Sequence, residues 1–127
     1  METLDRGMIY RGRLSMWLFI AHRVTGIGVL GFLFLHILDT SFVLLGPEVY
    51  DGVSSLYHTF FFRLAEIGLL AALLVHSVNG LRIMALDFWS RGALYEQRLN
   101  VAAAALFLIS FVPSGIYMFI RFFTVET

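Results

Sequence analysis

The chain has 127 residues, of which 59% are hydrophobic and only 14% are charged, and its mean hydropathy is +0.82. This composition is typical of an integral membrane protein and far from that of a water-soluble domain. The sequence contains no cysteine, which excludes disulfides and iron–sulfur clusters bound by this chain alone. The formal net charge is zero, so there is no electrostatic basis for binding nucleic acid.

Three apolar stretches are long enough to cross a bilayer, which takes about 20 helical residues. We predict helix I over about residues 15–45, helix II over about 60–89 and helix III over about 97–123. Residues 1–14 are polar and contain glycine, and we interpret them as an irregular or interfacial segment. The fold class is therefore an all-α bundle of three transmembrane helices, forming a single membrane domain from residue 1 to 127.

Local signals set the ends of these helices. Ser15 is a candidate cap for helix I, with Trp17 at the membrane interface. Gly46 and Pro47 mark the end of helix I, because glycine followed by proline commonly terminates a helix. A short interfacial helix is predicted near residues 49–57 of the following loop. Pro113 in the middle of helix III predicts a kink there.

The arginines are distributed unequally between the loops, and all basic residues of the chain are arginine. They cluster before helix I and in the turn between helices II and III, whereas the first loop carries Glu48 and Asp51. The positive-inside rule then places the N-terminus in the cytoplasm. The arginines that carry this assignment are Arg6, Arg11, Arg13, Arg23, Arg91 and Arg98.

Two histidines lie deep inside the apolar stretches. His76 follows a long apolar run and has Gly80 four residues later on the same helical face, where a glycine leaves a gap. An imidazole in lipid is costly, so we consider three roles for each of His76 and His36. Each is an axial haem ligand, a hydrogen-bond donor to a neighbouring helix, or a lone residue that lines a pore. At ~1.5 Å per residue the two histidines differ in depth by roughly 10–15 Å, which favours two stacked cofactors over one shared cofactor.

Several charged residues also lie within the predicted spans. Arg23, beside His22, and Arg82 enter the membrane at similar depths from helices I and II, which indicates an external anion or a partner's carboxylate. The alternative is that both arginines anchor at lipid phosphates. Arg63 and Glu66, three residues apart near the start of helix II, are interpreted as an interfacial ion pair.

Two motifs together resemble the cytochrome b membrane anchor subunit of succinate dehydrogenase (complex II). The run His22-Arg23-Val24-Thr25-Gly26 is similar to that family's His-Arg-x-Thr/Ser-Gly signature. The run from His76 to Arg82 is similar to its haem motif, His-x-x-x-Gly-x-Arg. Tyr10-Arg11-Gly12, Met16-Trp17 and the run from His36 to Thr40 resemble the diheme branch that uses menaquinone. The resemblance covers about residues 8–89, and helix III adds little.

The resemblance implies a complex with a flavoprotein subunit, an iron–sulfur subunit and a second membrane anchor that completes this chain's helical bundle in the lipid bilayer. It also implies haem b, in two copies shared with that second anchor, and menaquinone or another quinone. The implied axial ligands are His76 and His36, each fixed through its other ring nitrogen, with the carbonyls of Ala72 and Phe32 as the expected acceptors.

The remaining implied site residues divide between haem and quinone. The implied haem pocket and propionate partners are His22, Arg23, Arg82, Gly80 and Gly26. The implied quinone-binding residues are Ser15, Trp17, Arg23 and Asp39, with Thr40 and Ser41 near Asp39. The chain departs from the family at Phe19, where the single-haem branch has a quinone-binding serine, and this weakens the case for an inner quinone site.

The function predicted on this basis is that of a non-flavin subunit of succinate:quinone oxidoreductase in a bacterial cytoplasmic membrane. This chain would carry no catalytic succinate site, and electrons would pass from the iron–sulfur subunit through haem to quinone. Three alternatives remain: an anchor of quinol:fumarate reductase, a haem-free scaffold or proton-path subunit, and a homo-oligomeric transporter protomer.

Overall fold

The computed structural model describes residues 2–125, including the side chains of residues 14 and 16–124. It contains the helices α1 (Glu2–Ser41), α2 (Pro47–Ser55), α3 (Phe60–Phe88) and α4 (Glu96–Val125). Short 3-10 segments occupy Phe42–Leu45, Leu56–His58 and Gly92–Tyr95, and residues 2–125 contain no β-strand. Three segments are long and apolar enough to cross a membrane: Met16–Leu45, Phe60–Phe88 and Gly92–Thr124. The predicted all-α, three-span architecture is confirmed.

The helix boundaries differ from the predicted ones mainly at the start of α1. This helix begins at Glu2, so the segment predicted to be irregular is helical and Ser15 lies within the helix. Single glycines such as Gly7 and Gly12 cost roughly 1 kcal/mol each in a helix interior, which does not stop a helix that continues for many turns. α4 likewise continues without a break through Pro113.

Gly46 separates α1 and its 3-10 extension from α2. Its φ of +114° is the one positive value among the described residues, and only glycine adopts such a conformation without steric cost. Pro47 follows at the first turn of α2, where its missing N–H leaves no helical hydrogen bond unmade. The predicted stop at Gly46 and Pro47 is confirmed, and the interfacial helix begins at Pro47.

Gly92 makes the turn between α3 and α4 possible. The residue is buried, and a Cβ at this position would lie 2.8 Å from the carbonyl oxygen of Ala85 and 3.0 Å from the Cα of Leu86. Backbone atoms cannot move aside as a flexible side chain can, so the approach of this turn to the end of α3 requires glycine.

α3 is the central helix of the chain. It packs against α1 on one side and against α4 on the other, whereas α1 and α4 make no direct contact within residues 2–125. The buried side chains of the described part, Val78, Asn79 and Arg82, all belong to α3. The three spans thus form a row rather than a closed bundle, and the site described next lies along the α1–α3 contact.

Candidate functional site

Two side-chain hydrogen bonds from α3 to α1 set the register of these antiparallel helices. The Nδ2 of Asn79 donates to the carbonyl oxygen of Leu18 at 2.9 Å. The Nδ1 of His76 lies 3.1 Å from the carbonyl oxygen of His22. The two acceptors are one helical turn apart on α1, and the two donors are nearly one turn apart on α3. His76 therefore lies level with His22.

The hydrogen bond of His76 defines the protonation of its ring. A carbonyl oxygen can only accept, so Nδ1 carries the proton and Nε2 keeps its lone pair. None of the hydrogen bonds among the described residues uses that Nε2. The predicted acceptor, the carbonyl of Ala72 in the same helix, is not the partner. The carbonyl comes from His22 on the neighbouring helix, because the α1–α3 contact brings it closer to the ring.

Thr25 completes the polar contacts around the Nδ1 of His76. Its hydroxyl donates to the carbonyl oxygen of Ala21 at 2.7 Å and also lies 3.1 Å from that of His22. The hydroxyl oxygen of Thr25 lies 3.5 Å from the Nδ1 of His76. The threonine of the His-Arg-x-Thr-Gly motif thus returns its polar group to its own helix and flanks the imidazole.

The imidazole of His22 stacks on that of His76. The ring centroids are 4.2 Å apart and the planes differ by 8°. The Nδ1 of His22 is buried and has no hydrogen-bond partner among the described residues. Stacking covers a face of His76 and leaves the edge that carries Nε2 unaffected, so the contact positions the ring without blocking a ligand at that nitrogen.

A glycine lies beside each of these two rings, and the approach at Gly26 is the tighter of the two. Gly80 was expected to leave space beside His76, but its nearest neighbour is His22, whose Cε1 would lie 3.5 Å from an added Cβ. Gly26 lies beside His76, and a Cβ there would be 3.0 Å from Cε1. Each glycine makes room for the histidine of the other helix, because the helices face each other at this level.

Arg82 is placed differently from the prediction. It was expected to meet haem propionates or a quinone together with Arg23, but it is buried and all its guanidinium nitrogens have partners on this chain. Its Nε donates to Asn100, and Nη1 donates to Asn79 at 3.2 Å. Nη2 lies 3.7 Å from a carboxylate oxygen of Glu96. Arg82 therefore links α3 to α4.

Arg23 remains exposed on α1. Its guanidinium lies over the ring of Phe19, 5.5 Å from the centroid, and it makes no ion pair with any described carboxylate. A cation stacked on an aromatic ring one turn away is held on the helix surface and stays available to an external anion. The guanidinium of Arg23 is thus accessible to an external anion or a partner's carboxylate, the two partners predicted for it.

His36 lies far from His76 along the α1–α3 pair. His36 follows His22 by fourteen positions, which correspond to about 21 Å of helix, and His22 lies level with His76, so the separation exceeds the predicted offset. Both histidines cannot bind one metal ion, since metal–nitrogen bonds are only about 2 Å long.

The surroundings of His36 are sparse compared with those of His76. The side chain is exposed and its ring stacks on Phe32, with centroids 5.4 Å apart. Its ring nitrogens make no hydrogen bond among the described residues, and the carbonyl of Phe32 is therefore not the acceptor that we predicted. A ligand held by His36 would need its remaining contacts from outside this chain.

Asp39 lies one turn beyond His36 and faces the loop. One of its carboxylate oxygens, Oδ1, is buried without a hydrogen-bond partner in the described part of the chain. Tyr57, from the 3-10 turn before α3, lies beside this carboxylate. Burial, then the charge of Asp39 and a hydrogen bond to it, raise the pKa of the Tyr57 hydroxyl. The loop thus supplies a polar partner to the C-terminal end of α1.

The other predicted site residues lie on the surface of the bundle or outside the described side chains. Trp17 is 62% exposed, in agreement with a position facing lipid or a partner. The side chain of Ser15, predicted to bind quinone, is outside the described part. Arg63 and Glu66 form the predicted ion pair, with Nη1 and Oε2 3.2 Å apart.

Three residues of the polar network were missed by the sequence reasoning, namely Asn79, Asn100 and Glu96. Apart from the residues that the resemblance supplied, the site candidates were ionisable groups within the predicted spans, which leaves out both asparagines. Asn79 lies three residues from each of His76 and Arg82 in an otherwise apolar helix, and that spacing places them on adjacent turns. The spacing was the available signal that Asn79 contacts the same neighbouring helices.

Comparison with known proteins identifies the family of the chain. Residues 4–117 match the family described as succinate dehydrogenase/fumarate reductase transmembrane subunit. The chain is 37% identical over 119 residues to the succinate dehydrogenase 2 membrane subunit SdhC of Mycobacterium tuberculosis, covering 90% of this chain and 88% of the relative.

A second relative is the succinate dehydrogenase hydrophobic membrane anchor subunit of Halobacterium salinarum. It is 38% identical over 93 residues, which cover 68% of this chain and 72% of the relative. Both relatives are named as membrane subunits, in agreement with the three apolar helices. The chain belongs to the family of succinate dehydrogenase/fumarate reductase transmembrane subunits and is a multi-pass membrane component of such an oxidoreductase.

Proposed function

We propose that this chain is the haem b-binding and quinone-binding membrane anchor of a succinate:menaquinone oxidoreductase. Its partners would be a second membrane anchor, an iron–sulfur subunit and a flavoprotein subunit, in a bacterial cytoplasmic membrane. The arrangement of arginines supports an N-terminus on the cytoplasmic side. Membership of the family supports the complex, and the geometry around His76 supports the haem.

The observation that carries the proposal is the hydrogen bond from His76 Nδ1 to the carbonyl of His22. Imidazole ligands of metals commonly donate their other N–H to a carbonyl or carboxylate, which fixes the tautomer and the ring orientation. Here Nδ1 is held in this way and Nε2 keeps its lone pair. No group of three or more histidine, aspartate or glutamate side chains gathers among the described residues, so this arrangement suits one axial ligand of a macrocycle.

His22 and Arg23 are the residues that would meet the haem propionates. The Nδ1 of His22 is buried and lacks a partner among the described residues, and the guanidinium of Arg23 is exposed on the same turn of α1. A propionate would satisfy both groups, since an unpaired buried polar atom is costly. Arg82 is left out of this role because its nitrogens are already paired within the chain.

His36 is the proposed ligand for a second haem, with the partner anchor supplying the contacts that this chain lacks. When bound, haem b would relay single electrons between the iron–sulfur subunit and quinone. The exposed imidazole of His36 and the separation from His76 support two sites rather than one. The surface around Gly28 and Gly31 is open, since an added Cβ would meet nothing within 4 Å.

Asp39 is the residue that we favour for quinone binding. Its Oδ1 is a buried acceptor without a partner among the described residues, and the hydroxyl of Tyr57 lies beside the same carboxylate. A carboxylate supported by a neutral phenol can hold or pass a proton at that oxygen. Trp17, Arg23 and Ser15 remain the predicted inner alternative, near the opposite end of α1.

The test is a pyridine haemochrome spectrum of the purified complex together with a flavin assay. We expect about two haems per flavin in the wild type, and about one in each of the variants His76→Ala and His36→Ala. The matched control is His58→Ala, because His58 is an exposed histidine of the loop and its loss should leave the ratio unchanged.

Two outcomes would contradict the proposal at different points. A wild-type complex with no b-type absorbance would exclude the haem-binding function as a whole. A wild-type ratio near one, with no change in His36→Ala, would exclude only the assignment of His36. Rates of succinate oxidation and fumarate reduction by the same preparation would separate the two directions of the reaction.

A further inference from the structure

A cavity of about 230 Å³ lies between α3 and α4, away from the His76 site along α3. It is formed where the beginning of α3 meets the last turns of α4. Four of its lining residues carry polar groups, namely Arg63, Glu66, Tyr117 and Arg121, and the rest are apolar or aromatic. None of these residues has a role in haem or quinone binding as proposed above.

The cavity carries one excess positive charge. Arg63 and Glu66 neutralise each other across a 3.2 Å contact. Arg121 lies over the ring of Tyr117, 6.0 Å from the centroid, and forms no ion pair with a described carboxylate. With two arginines and one glutamate, the lining is complementary to a single negative charge.

The position of the cavity restricts what can supply that charge. Arg63 lies in the first turn of α3 and Arg121 lies near the end of α4, so both are at one edge of the apolar spans. Phe60 and Phe122 also line the cavity, with ring centroids 5.7 Å apart. Arginines and aromatic rings at the edge of a span are typical of the level of lipid headgroups.

We propose that this cavity binds an anionic phospholipid, with its phosphate against Arg121 and its acyl chains along the aromatic wall formed by Phe60 and Phe122. A zwitterionic lipid would leave the excess charge of the cavity uncompensated. A soluble phosphate would neutralise Arg121 but leave the aromatic side chains of the cavity exposed. A neutral quinone would not neutralise the excess positive charge. Lipid binding at this cavity is independent of haem binding at His76.

The test is native mass spectrometry of the intact, detergent-exchanged complex titrated with phosphatidylglycerol. The variant Arg121→Gln should bind this lipid about fivefold more weakly, which corresponds to the loss of one basic residue at a membrane surface. The variant Glu66→Gln should bind it more tightly, because the opposing charge is removed and Arg63 is released. The two variants move the affinity in opposite directions, so a general loss of folding cannot mimic the result.

The matched control is Arg98→Gln. Arg98 lies over Tyr95 at 5.6 Å, much as Arg121 lies over Tyr117, but at the other end of α4. Its substitution should leave the affinity for phosphatidylglycerol unchanged. The proposal is overturned if phosphatidylcholine binds as tightly as phosphatidylglycerol, if inorganic phosphate displaces the lipid, or if a quinone copurifies in its place. Unchanged lipid affinity in either Arg121→Gln or Glu66→Gln would also overturn it.

Discussion

Gly26 and His76 lie so close that a Cβ on Gly26 would stand 3.0 Å from the Cε1 of the imidazole. Real side chains rarely approach so closely, so any residue larger than glycine must push the ring away by a few tenths of an ångström. The ring is also held by its hydrogen bond to the carbonyl of His22, on the same helix as Gly26. A small residue on α1 thus determines where an imidazole of α3 lies.

The substitution Gly26→Ala should reduce the haem content of the complex, because the displaced imidazole loses its hydrogen-bond geometry. Gly80→Ala is the control, since its Cβ would make an ordinary contact of 3.5 Å with His22. The measurement is b-type absorbance per flavin for both variants. Equal haem content in the two variants would contradict the role of Gly26.

The side chain of His22 should matter less for haem retention than its position suggests. His76 is fixed by the main-chain carbonyl of His22, and His22→Phe keeps that carbonyl together with a ring that can stack. We expect this variant to retain haem but to shift its reduction potential, because the imidazole proposed to meet the propionates is lost. Redox titration of the purified complex measures both quantities, and complete loss of haem would refute the expectation.

Arg82→Lys should destabilise the complex although the charge is kept. The guanidinium reaches Asn100, Asn79 and Glu96 with three different nitrogens, and a lysine has one nitrogen for them all. Leaving buried acceptors unpaired costs about 1–3 kcal/mol each, so the unfolding temperature should fall. Arg98→Lys, at an exposed position of α4, should not lower it.

Tyr57 should make the outer loop sensitive to alkaline pH. An unfolded tyrosine ionises near pH 10, whereas burial and the neighbouring Asp39 raise the pKa of Tyr57 in the folded protein. The stabilisation is therefore complete below pH 10 and is lost as the pH rises through the folded pKa. Ultraviolet titration of the phenolates should show one late-ionising group that disappears in Tyr57→Phe.

Asp39→Asn provides an internal check on the same titration. Removing the negative charge should lower the pKa of Tyr57 toward its ordinary value while leaving the remaining effect of burial. If the titration is the same in the wild type and in Asp39→Asn, the carboxylate does not interact with the phenol. The other tyrosines of the chain serve as the reference in every sample.

The spans and the site motifs were predictable because each depends on information local in the sequence. Hydropathy over about 20 residues reveals a membrane helix, and the pair Gly46-Pro47 indicates where the first of these helices ends. The partner of a side chain depends on the register between helices, which no local pattern contains. The carbonyl of His22 was therefore missed as the acceptor for His76, and the contacts of Gly26 with His76 and of Gly80 with His22 were not predicted.

The partners of Arg82 also depend on contacts between helices that a local sequence pattern does not contain. Its charge predicted a partner, but Glu96 was outside the apolar spans and the asparagines were not considered as partners. Only the turn at Gly92 brings the start of α4 back to α3 and places Asn100 beside Arg82. The partners of Arg82 within the chain were not predicted, because that close return is not visible in the sequence.

The row formed by α1, α3 and α4 has a consequence for how this protein is made. A chain with both broad sides open presents its apolar side chains to whatever adjoins it, and α1 and α4 bury none of their most apolar stretch within the chain. Newly inserted copies thus depend on lipid and on a neighbouring subunit for most of their lateral contacts.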